Sequence, residues 1–151
     1  NHLTGDRMKI MNELIDAIGN IEFEKISWKM NDSDNCSLAA DEIELAIEEY
    51  KRFLTLKSQH PNIRLAPTEL MDEVWHFHIL DTARYAADCR AIFGKFLHHS
   101  PSYGPFESEE KQSSMQESFA RMVKLYCESF GHDPITRMGS CSSACSGVAC
   151  E

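Results

Sequence analysis

The apolar residues of this chain recur at helical spacing, and this pattern limits the fold more than any other feature. Between Leu38 and Ser58, apolar residues fall on one stripe and charged residues surround it, as is typical of an amphipathic surface helix. Alternation of apolar and polar residues never persists for the length of a strand. The sequence therefore predicts an all-α fold. The stripe consists of Ala39, Ile43, Ala46, Ile47, Tyr50, Phe53 and Leu54.

The same periodicity, read together with capping signals, predicts a bundle of about five helices. Ser37, Thr68 and Asp81 are suitable N-cap residues, and Gly94 and Gly131 are suitable stop signals. These signals predict where the longer helices begin and end. The predicted ranges are about Asp6 to Ile18, Phe23 to Met30, Leu38 to Ser58, Glu69 to Leu80, Thr82 to Phe93 and Glu109 to Phe130.

The length and the composition of the C-terminus predict one domain followed by a tail. A chain of 151 residues fits a single domain that can bury a core. The segment after Gly131 consists mainly of small and polar residues, which cannot build a core of their own. We therefore expect a helical domain over residues 1–131 and a flexible Cys-rich tail over residues 132–151.

Charge and hydropathy exclude some classes of partner. The 15 basic residues are scattered and outnumbered by 24 acidic ones, giving a net charge of −9, so nucleic acid is not expected as a partner. No apolar run approaches the roughly 18 residues that a membrane span needs. No signal peptide is evident at the start. The expected location is the cytoplasm, where six cysteines favour metal or redox chemistry over disulfide bonds.

The stretch DEVWHFHIL, residues 72–80, places two histidines among large apolar residues. On an ideal helix, which advances about 100° per residue, His78 falls in the middle of the apolar arc and should be buried. His76 falls outside this arc, one turn after Asp72. The two imidazoles therefore point in different directions and do not have the four-residue spacing of a helical HExxH site.

A buried His78 needs polar partners, and two interpretations of it stay open. Cys89 should face inward on the next helix, so His78 and Cys89 could share a soft metal ion with His98 or His99. The alternative is a core histidine satisfied by hydrogen bonds, with Cys89 as a small hydrophobe. Asp81 and Tyr85 are the nearby residues that could orient His78 in either case.

The remaining polar residues of this region also have two interpretations. His76 and Asp72 form either a hydrogen bond on the helix surface or a pair in which the carboxylate orients a metal-binding imidazole. The pair His98 and His99 either contributes a ligand or belongs to an ordinary loop.

The tail contains three cysteines in the pattern Cys-x3-Cys-x4-Cys, formed by Cys141, Cys145 and Cys150. This spacing differs from the Cys-x2-Cys pair of zinc ribbons. It suits a flexible segment that wraps a soft cation such as Cu(I) or Zn(II). Redox-active or modified thiols and a disordered tail without a function are the alternatives.

The histidine region resembles a known family. Its pattern is Val74-Trp75-His76-x-His78-Ile79-Leu80-Asp81, followed by Tyr85, Asp88-Cys89, Phe93-Gly94, Phe96 and His98-His99. These residues, with lead-in segments at 49–54 and 67–72, resemble the glycine-rich domain-containing protein-like family, in particular its small bacterial members. The resemblance spans about residues 37–103. It implies that these positions form one motif, and it implies no catalytic mechanism.

Three functions are compatible with these observations. The first is a soluble intracellular protein that binds zinc or copper through His78, Cys89 and one of His98 or His99, with His76 nearby and the thiol-rich tail assisting. The second is a non-enzymatic interaction module with an unknown protein partner, in which the WHxH segment is structural. The third is a metal-dependent enzyme of unknown substrate, with His76 as a proton shuttle.

Overall fold

Helices account for all the regular structure in the computed structural model, which describes residues 2–136, with side chains from residue 4 onward. Within this range the chain forms six α-helices and one 3₁₀ turn and no β-strand, which confirms the all-α prediction. The elements are α1 (His2–Gly19), α2 (Phe23–Asp32), α3 (Ala40–Gln59), α4 (Glu69–Leu80), α5 (Thr82–Phe93), the 3₁₀ turn (Gly104–Phe106) and α6 (Glu109–Phe130).

The predicted caps of α4 and α5 are formed by side chains. The Thr68 hydroxyl accepts a hydrogen bond from the Met71 amide, and the Asp81 carboxylate accepts one from the Arg84 amide. Gly94 and Gly131 end α5 and α6 with φ angles of 72° and 80°, a backbone conformation that favours glycine. These local signals place both ends of α5 and the start of α4 where the sequence predicts them.

Helix α3 begins two residues later than predicted, with Ala39 rather than Ser37 at its N-cap. The Ser37 amide donates to the carboxylate of Glu73 at 3.1 Å, which ties this turn to α4. At the start of α3, the Ala39 amide donates to Glu42 Oε1 at 3.0 Å. A carboxylate at the third helical position thus stabilises the end of the helix in place of a serine cap.

Helix α3 lies at the centre of the bundle and contacts α1, α2, α4 and α6, while α4 also contacts α2 and α5. Its apolar stripe is buried from Ile43 onward, whereas Ala39, just before the helix, is exposed. This arrangement fixes α4 between α3 and α5, so one face of α4 enters the core and another stays accessible. The core side chains with almost no exposed surface include Tyr50, Phe53, Leu54, Leu70, Met71, Val74, Met122 and Tyr126.

Glu49 is the main exception to the amphipathic pattern of α3. The sequence assigns it to the charged surface, but its side chain is fully buried. Glu49 Oε1 accepts a hydrogen bond from the Ile135 amide at 3.1 Å and lies 3.6 Å from Arg52 Nη1. The chain beyond α6 therefore stays in contact with the helical body as far as Ile135, within the segment that the sequence assigns to the tail.

No helix among residues 2–136 combines the length and the apolar character that crossing a membrane requires.

Candidate metal centre

The accessible face of α4 carries Asp72 and His76 one helical turn apart. His76 Nε2 lies 3.4 Å from Asp72 Oδ2, and roughly half of the His76 side chain is exposed. Residues four apart on a helix are neighbours on its surface, so this pair is formed by local structure alone. The helix thus supplies one imidazole and one carboxylate that face the same side.

His99 reaches the same place from the segment that follows α5. Its Nε2 atom lies 3.0 Å from His76 Nε2 and 3.3 Å from Asp72 Oδ1. Its ring packs against the indole of Trp75, with ring centroids 4.3 Å apart. His99 therefore packs on α4, although it lies 23 residues after His76 in the sequence.

A chain of hydrogen bonds holds the backbone just before His99. Trp75 Nε1 donates to the hydroxyl of Tyr85 at 2.9 Å, and this hydroxyl donates to the carbonyl oxygen of Leu97. Trp75 and Tyr85 are buried, so these bonds form where water does not compete. The arrangement connects α4, α5 and the loop, and it fixes the position of Leu97 two residues before His99.

Asp72, His76 and His99 together form a set of potential metal ligands. One donor atom from each residue lies within 4.8 Å of the other two, and the part of the chain that the structure describes contains no second group of this kind. Two imidazoles and one carboxylate are the ligand types of catalytic zinc sites and of the 2-His-1-carboxylate iron sites. Three protein ligands leave at least one coordination position for water or a bound molecule.

Burial shifts the protonation of two members of this set. It raises the pKa of the Asp72 carboxyl, and the charges of His76 and His99 partly oppose this effect. Burial also lowers the pKa of His99, with Asp72 opposing and His76 reinforcing the shift. A neutral His99 imidazole keeps a lone pair that can bind a metal ion.

A cavity of about 600 Å³ opens beside the set. Its lining includes Asp72, Trp75 and His99, residues 61–69 and the start of α6. This volume lies within the roughly 300–1,000 Å³ of small-molecule sites. Two of the three potential ligands, Asp72 and His99, thus border a space that is large enough for a small molecule.

His78 is buried, as the sequence predicts, with 3% of its surface exposed. Its Nδ1 atom lies 2.8 Å from the Tyr50 hydroxyl, and its Nε2 atom lies 2.9 Å from Asp88 Oδ2. Burial lowers the pKa of His78, with the Asp88 hydrogen bond opposing. Both ring nitrogens therefore have protein partners, and this geometry favours the interpretation of His78 as a hydrogen-bonded core histidine.

The other residues singled out in the sequence differ in their surroundings, and Tyr85 links two of them, because its ring packs on that of His78 at 4.9 Å between centroids and its side chain is hydrogen-bonded to Cys89. Cys89 is a buried free thiol, and burial raises its pKa, which disfavours the thiolate that binds metals. The exposed ring of His98 packs on Phe96, at 4.8 Å between centroids. Asp81 caps α5 and Tyr85 supports the loop. The tail cysteines Cys141, Cys145 and Cys150 lie outside the described residues.

Sequence reasoning assigned Asp72 only a supporting role and assigned Trp75 no chemical role. A signal for the first was present, because Asp72 and His76 have the four-residue spacing that brings two ligands to one helix face. No local signal identifies His99 as their partner, since the contact depends on the path of the loop after Gly94. Trp75, His76, Tyr85 and His99 thus lie close together in the fold.

Comparison with known proteins identifies a family. No curated protein and no solved structure matches the chain. The sequence model of the UCP032817-like family matches residues 13–138, a range that includes α2 to α6 and the whole candidate metal centre. Neither a glycine-rich domain nor an activity is part of that family's description. Because the match covers most of its length, the chain belongs to the UCP032817-like family.

Proposed function

We propose that this protein binds a divalent transition-metal ion, zinc in the first place, through Asp72, His76 and His99. The observation that carries this proposal is the convergence of their three donor atoms within 4.8 Å. The chain of hydrogen bonds through Trp75 and Tyr85 supports it, because metal sites depend on outer groups that orient the ligands.

The ligand types favour zinc over Cu(I). Zinc binds imidazole nitrogen and carboxylate oxygen, whereas Cu(I) prefers thiolate and thioether sulfur. The set contains two imidazoles and one carboxylate and no sulfur. Copper bound by the tail thiols Cys141, Cys145 and Cys150 is a separate proposal that does not depend on this site.

A metal-dependent enzyme is the second candidate function, and the cavity beside the ligands is the observation that favours it. An ion held by three protein ligands can lower the pKa of a bound water and polarise a substrate oxygen. The volume of about 600 Å³ beside Asp72 and His99 can admit such a substrate.

The other hypotheses drawn from the sequence stay predictions. An ion shared by His78, Cys89 and one of His98 or His99 is the competing arrangement for the metal site. A protein partner is compatible with the exposed apolar side chains of α1, and we keep it as an alternative function. The cytoplasmic location and the link to the glycine-rich domain-containing proteins also stay predictions. The exposed side chains are Met8, Ile10, Met11 and Ile15.

Zinc titration by calorimetry tests the proposal most directly. The background is the full chain with Cys141, Cys145 and Cys150 changed to Ser, which removes zinc binding by the tail. We expect one zinc ion per chain. The variants His76→Ala and His99→Ala should lose more affinity than the about 10–100-fold that removal of an outer group costs.

His98→Ala and His78→Ala are the matched controls, and both should keep zinc binding if they fold. Unchanged zinc affinity in His99→Ala would contradict the proposed ligand set. Loss of zinc in folded His98→Ala and His78→Ala would instead support the site with Cys89. Absence of zinc uptake by the parent chain would refute metal binding by the helical domain.

A further inference from the structure

Positive charge gathers in the cavity beside the candidate metal centre. Lys57, Arg64 and Lys111 line this cavity, together with the carboxylates Glu69 and Asp72. Asp72 belongs to the candidate metal centre, where its carboxylate oxygens lie next to His76 and His99. The basic side chains thus outnumber the carboxylates in a protein whose net charge is −9.

Two of these basic groups have no carboxylate partner among the described residues. Lys57 Nζ donates to the carbonyl oxygen of Ile63 at 3.1 Å, which uses one of its three N–H groups. Arg64 is exposed, and its guanidinium forms no ion pair within residues 4–136. Lys111 differs from both, because its Nζ atom lies 3.2 Å from Glu107 Oε2.

The electrostatic environment of Lys57 agrees with an excess of positive charge. Its pKa is lowered, first by burial and then by the charges of Lys95 and Arg64. Lys57 and Arg64, which both line the cavity, therefore repel each other. An anion bound between them would relieve this repulsion and would form charge-assisted hydrogen bonds with the free N–H groups.

The rest of the cavity lining combines apolar side chains with small polar ones. Its walls include Ile63, Leu65, Trp75, Leu97 and Met115. A volume of about 600 Å³ fits a small organic molecule better than a bare inorganic ion. The cavity thus offers both basic groups and apolar surface to a bound molecule.

We propose that this cavity binds a small amphiphilic acid, whose carboxylate or phosphate group lies between Lys57 and Arg64 and whose apolar part lies against the cavity wall. The proposal deepens the proposed function by naming a ligand class for the same cavity. A direct contact between this ligand and a metal ion would require that the proposed metal binding is correct. The contact with Lys57 and Arg64 does not require an ion.

Binding of model acids to the metal-free full-length chain tests the inference. The probes are phenyl phosphate and phenylacetate, with benzyl alcohol as the neutral counterpart, followed by two-dimensional amide NMR. At least one acid should bind, at least about tenfold more tightly than benzyl alcohol, and the tighter of the two identifies the head group. Lys57→Gln and Arg64→Gln should each weaken this binding by about the same factor.

Lys124→Gln is the control, because it removes the same charge from an exposed position on α6. It should leave the affinity for the acid unchanged. The inference would be overturned if the chain bound no acid or bound acid and alcohol equally well. It would also be overturned if Lys57→Gln and Arg64→Gln bound the acid as tightly as the parent chain does. Zinc affinity measured on the same variants should not change, so a failure of this inference is distinguishable from a failure of the metal site.

Discussion

The imidazole of His99 packs against the indole of Trp75, and their ring centroids are 4.3 Å apart. Trp75 also donates a hydrogen bond to Tyr85, whose hydroxyl binds the backbone of Leu97. The same aromatic residue therefore supports the histidine directly and, through Tyr85, the chain that leads to it. Trp75, Tyr85 and the backbone of Leu97 thus act together in placing one candidate ligand.

Tyr85→Phe should weaken zinc binding without removing a ligand. The change leaves Trp75 Nε1 and the Leu97 carbonyl without their shared partner, so the loop that carries His99 becomes less fixed. We expect zinc affinity to fall about 10–100-fold, as for other outer groups that orient a ligand. We also expect stability to fall by about 1–3 kcal/mol. Zinc titration and urea unfolding measure the two effects.

Tyr103→Phe is the control for this change, because Tyr103 is 62% exposed. It should alter neither quantity. Equal zinc affinity for Tyr85→Phe and the parent chain would mean that the hydrogen bonds do not position His99.

His78→Ala should reduce stability rather than metal binding. The variant leaves the buried Tyr50 hydroxyl and the Asp88 carboxylate without the imidazole that joins them. The unsatisfied Tyr50 hydroxyl costs about 1–3 kcal/mol, whereas Asp88 keeps Arg84 Nε at 3.4 Å from its other oxygen. Urea unfolding should show this loss, whereas His98→Ala, which changes an exposed histidine, should be close to neutral. A stability equal to that of the parent chain would show that the network contributes little.

Gly94→Ala and Gly5→Ala should have opposite effects on stability. A β-carbon added at either site would meet no atom within 4 Å, so steric contact does not decide the outcome. Gly94 has a φ of 72°, which an alanine adopts at a cost of about 1 kcal/mol. Gly5 lies inside α1, where alanine should gain up to about 1 kcal/mol. Thermal unfolding compares the two, and a shift in the same direction for both would contradict the assigned conformations.

Stability should decrease at alkaline pH because of buried tyrosines. Burial raises the pKa of Tyr126, and the hydrogen bond and charge of Glu49 add to this, while Arg52 opposes it. Unfolded tyrosine loses its proton near pH 10, so the unfolded chain binds fewer protons above that pH. The contribution of Tyr126 is therefore complete below about pH 10 and is lost as the pH rises further.

The free energy of unfolding, measured between about pH 9 and pH 11, checks this prediction. The variant Tyr126→Phe should lose less free energy of unfolding over that range than the parent chain. His132 packs on the aromatic ring of Tyr126, and phenylalanine keeps this ring. Tyr103→Phe should follow the parent chain. An identical slope for Tyr126→Phe would mean that Tyr126 titrates alike in the folded and unfolded states.

Features that depend on neighbours in sequence were predictable. Thr68 and Asp81 cap their helices and Gly94 ends α5, because a cap needs only one side chain and the next few amides. The burial of His78 followed from its place on the apolar arc of one helix. Its partners did not follow, since Tyr50 and Asp88 come from two other helices.

The sequence by itself determined the all-α class, most helix ends and the apolar faces, because these depend on spacing within single segments. Only the tertiary structure decided that Glu49 is buried, that Ser37 binds Glu73 and that His99 joins Asp72 and His76. Such contacts depend on how helices cross and on the path of a loop, and no periodicity in one segment specifies these. The pair Asp72 and His76 is local, whereas the third donor arrives only when the loop folds back onto α4.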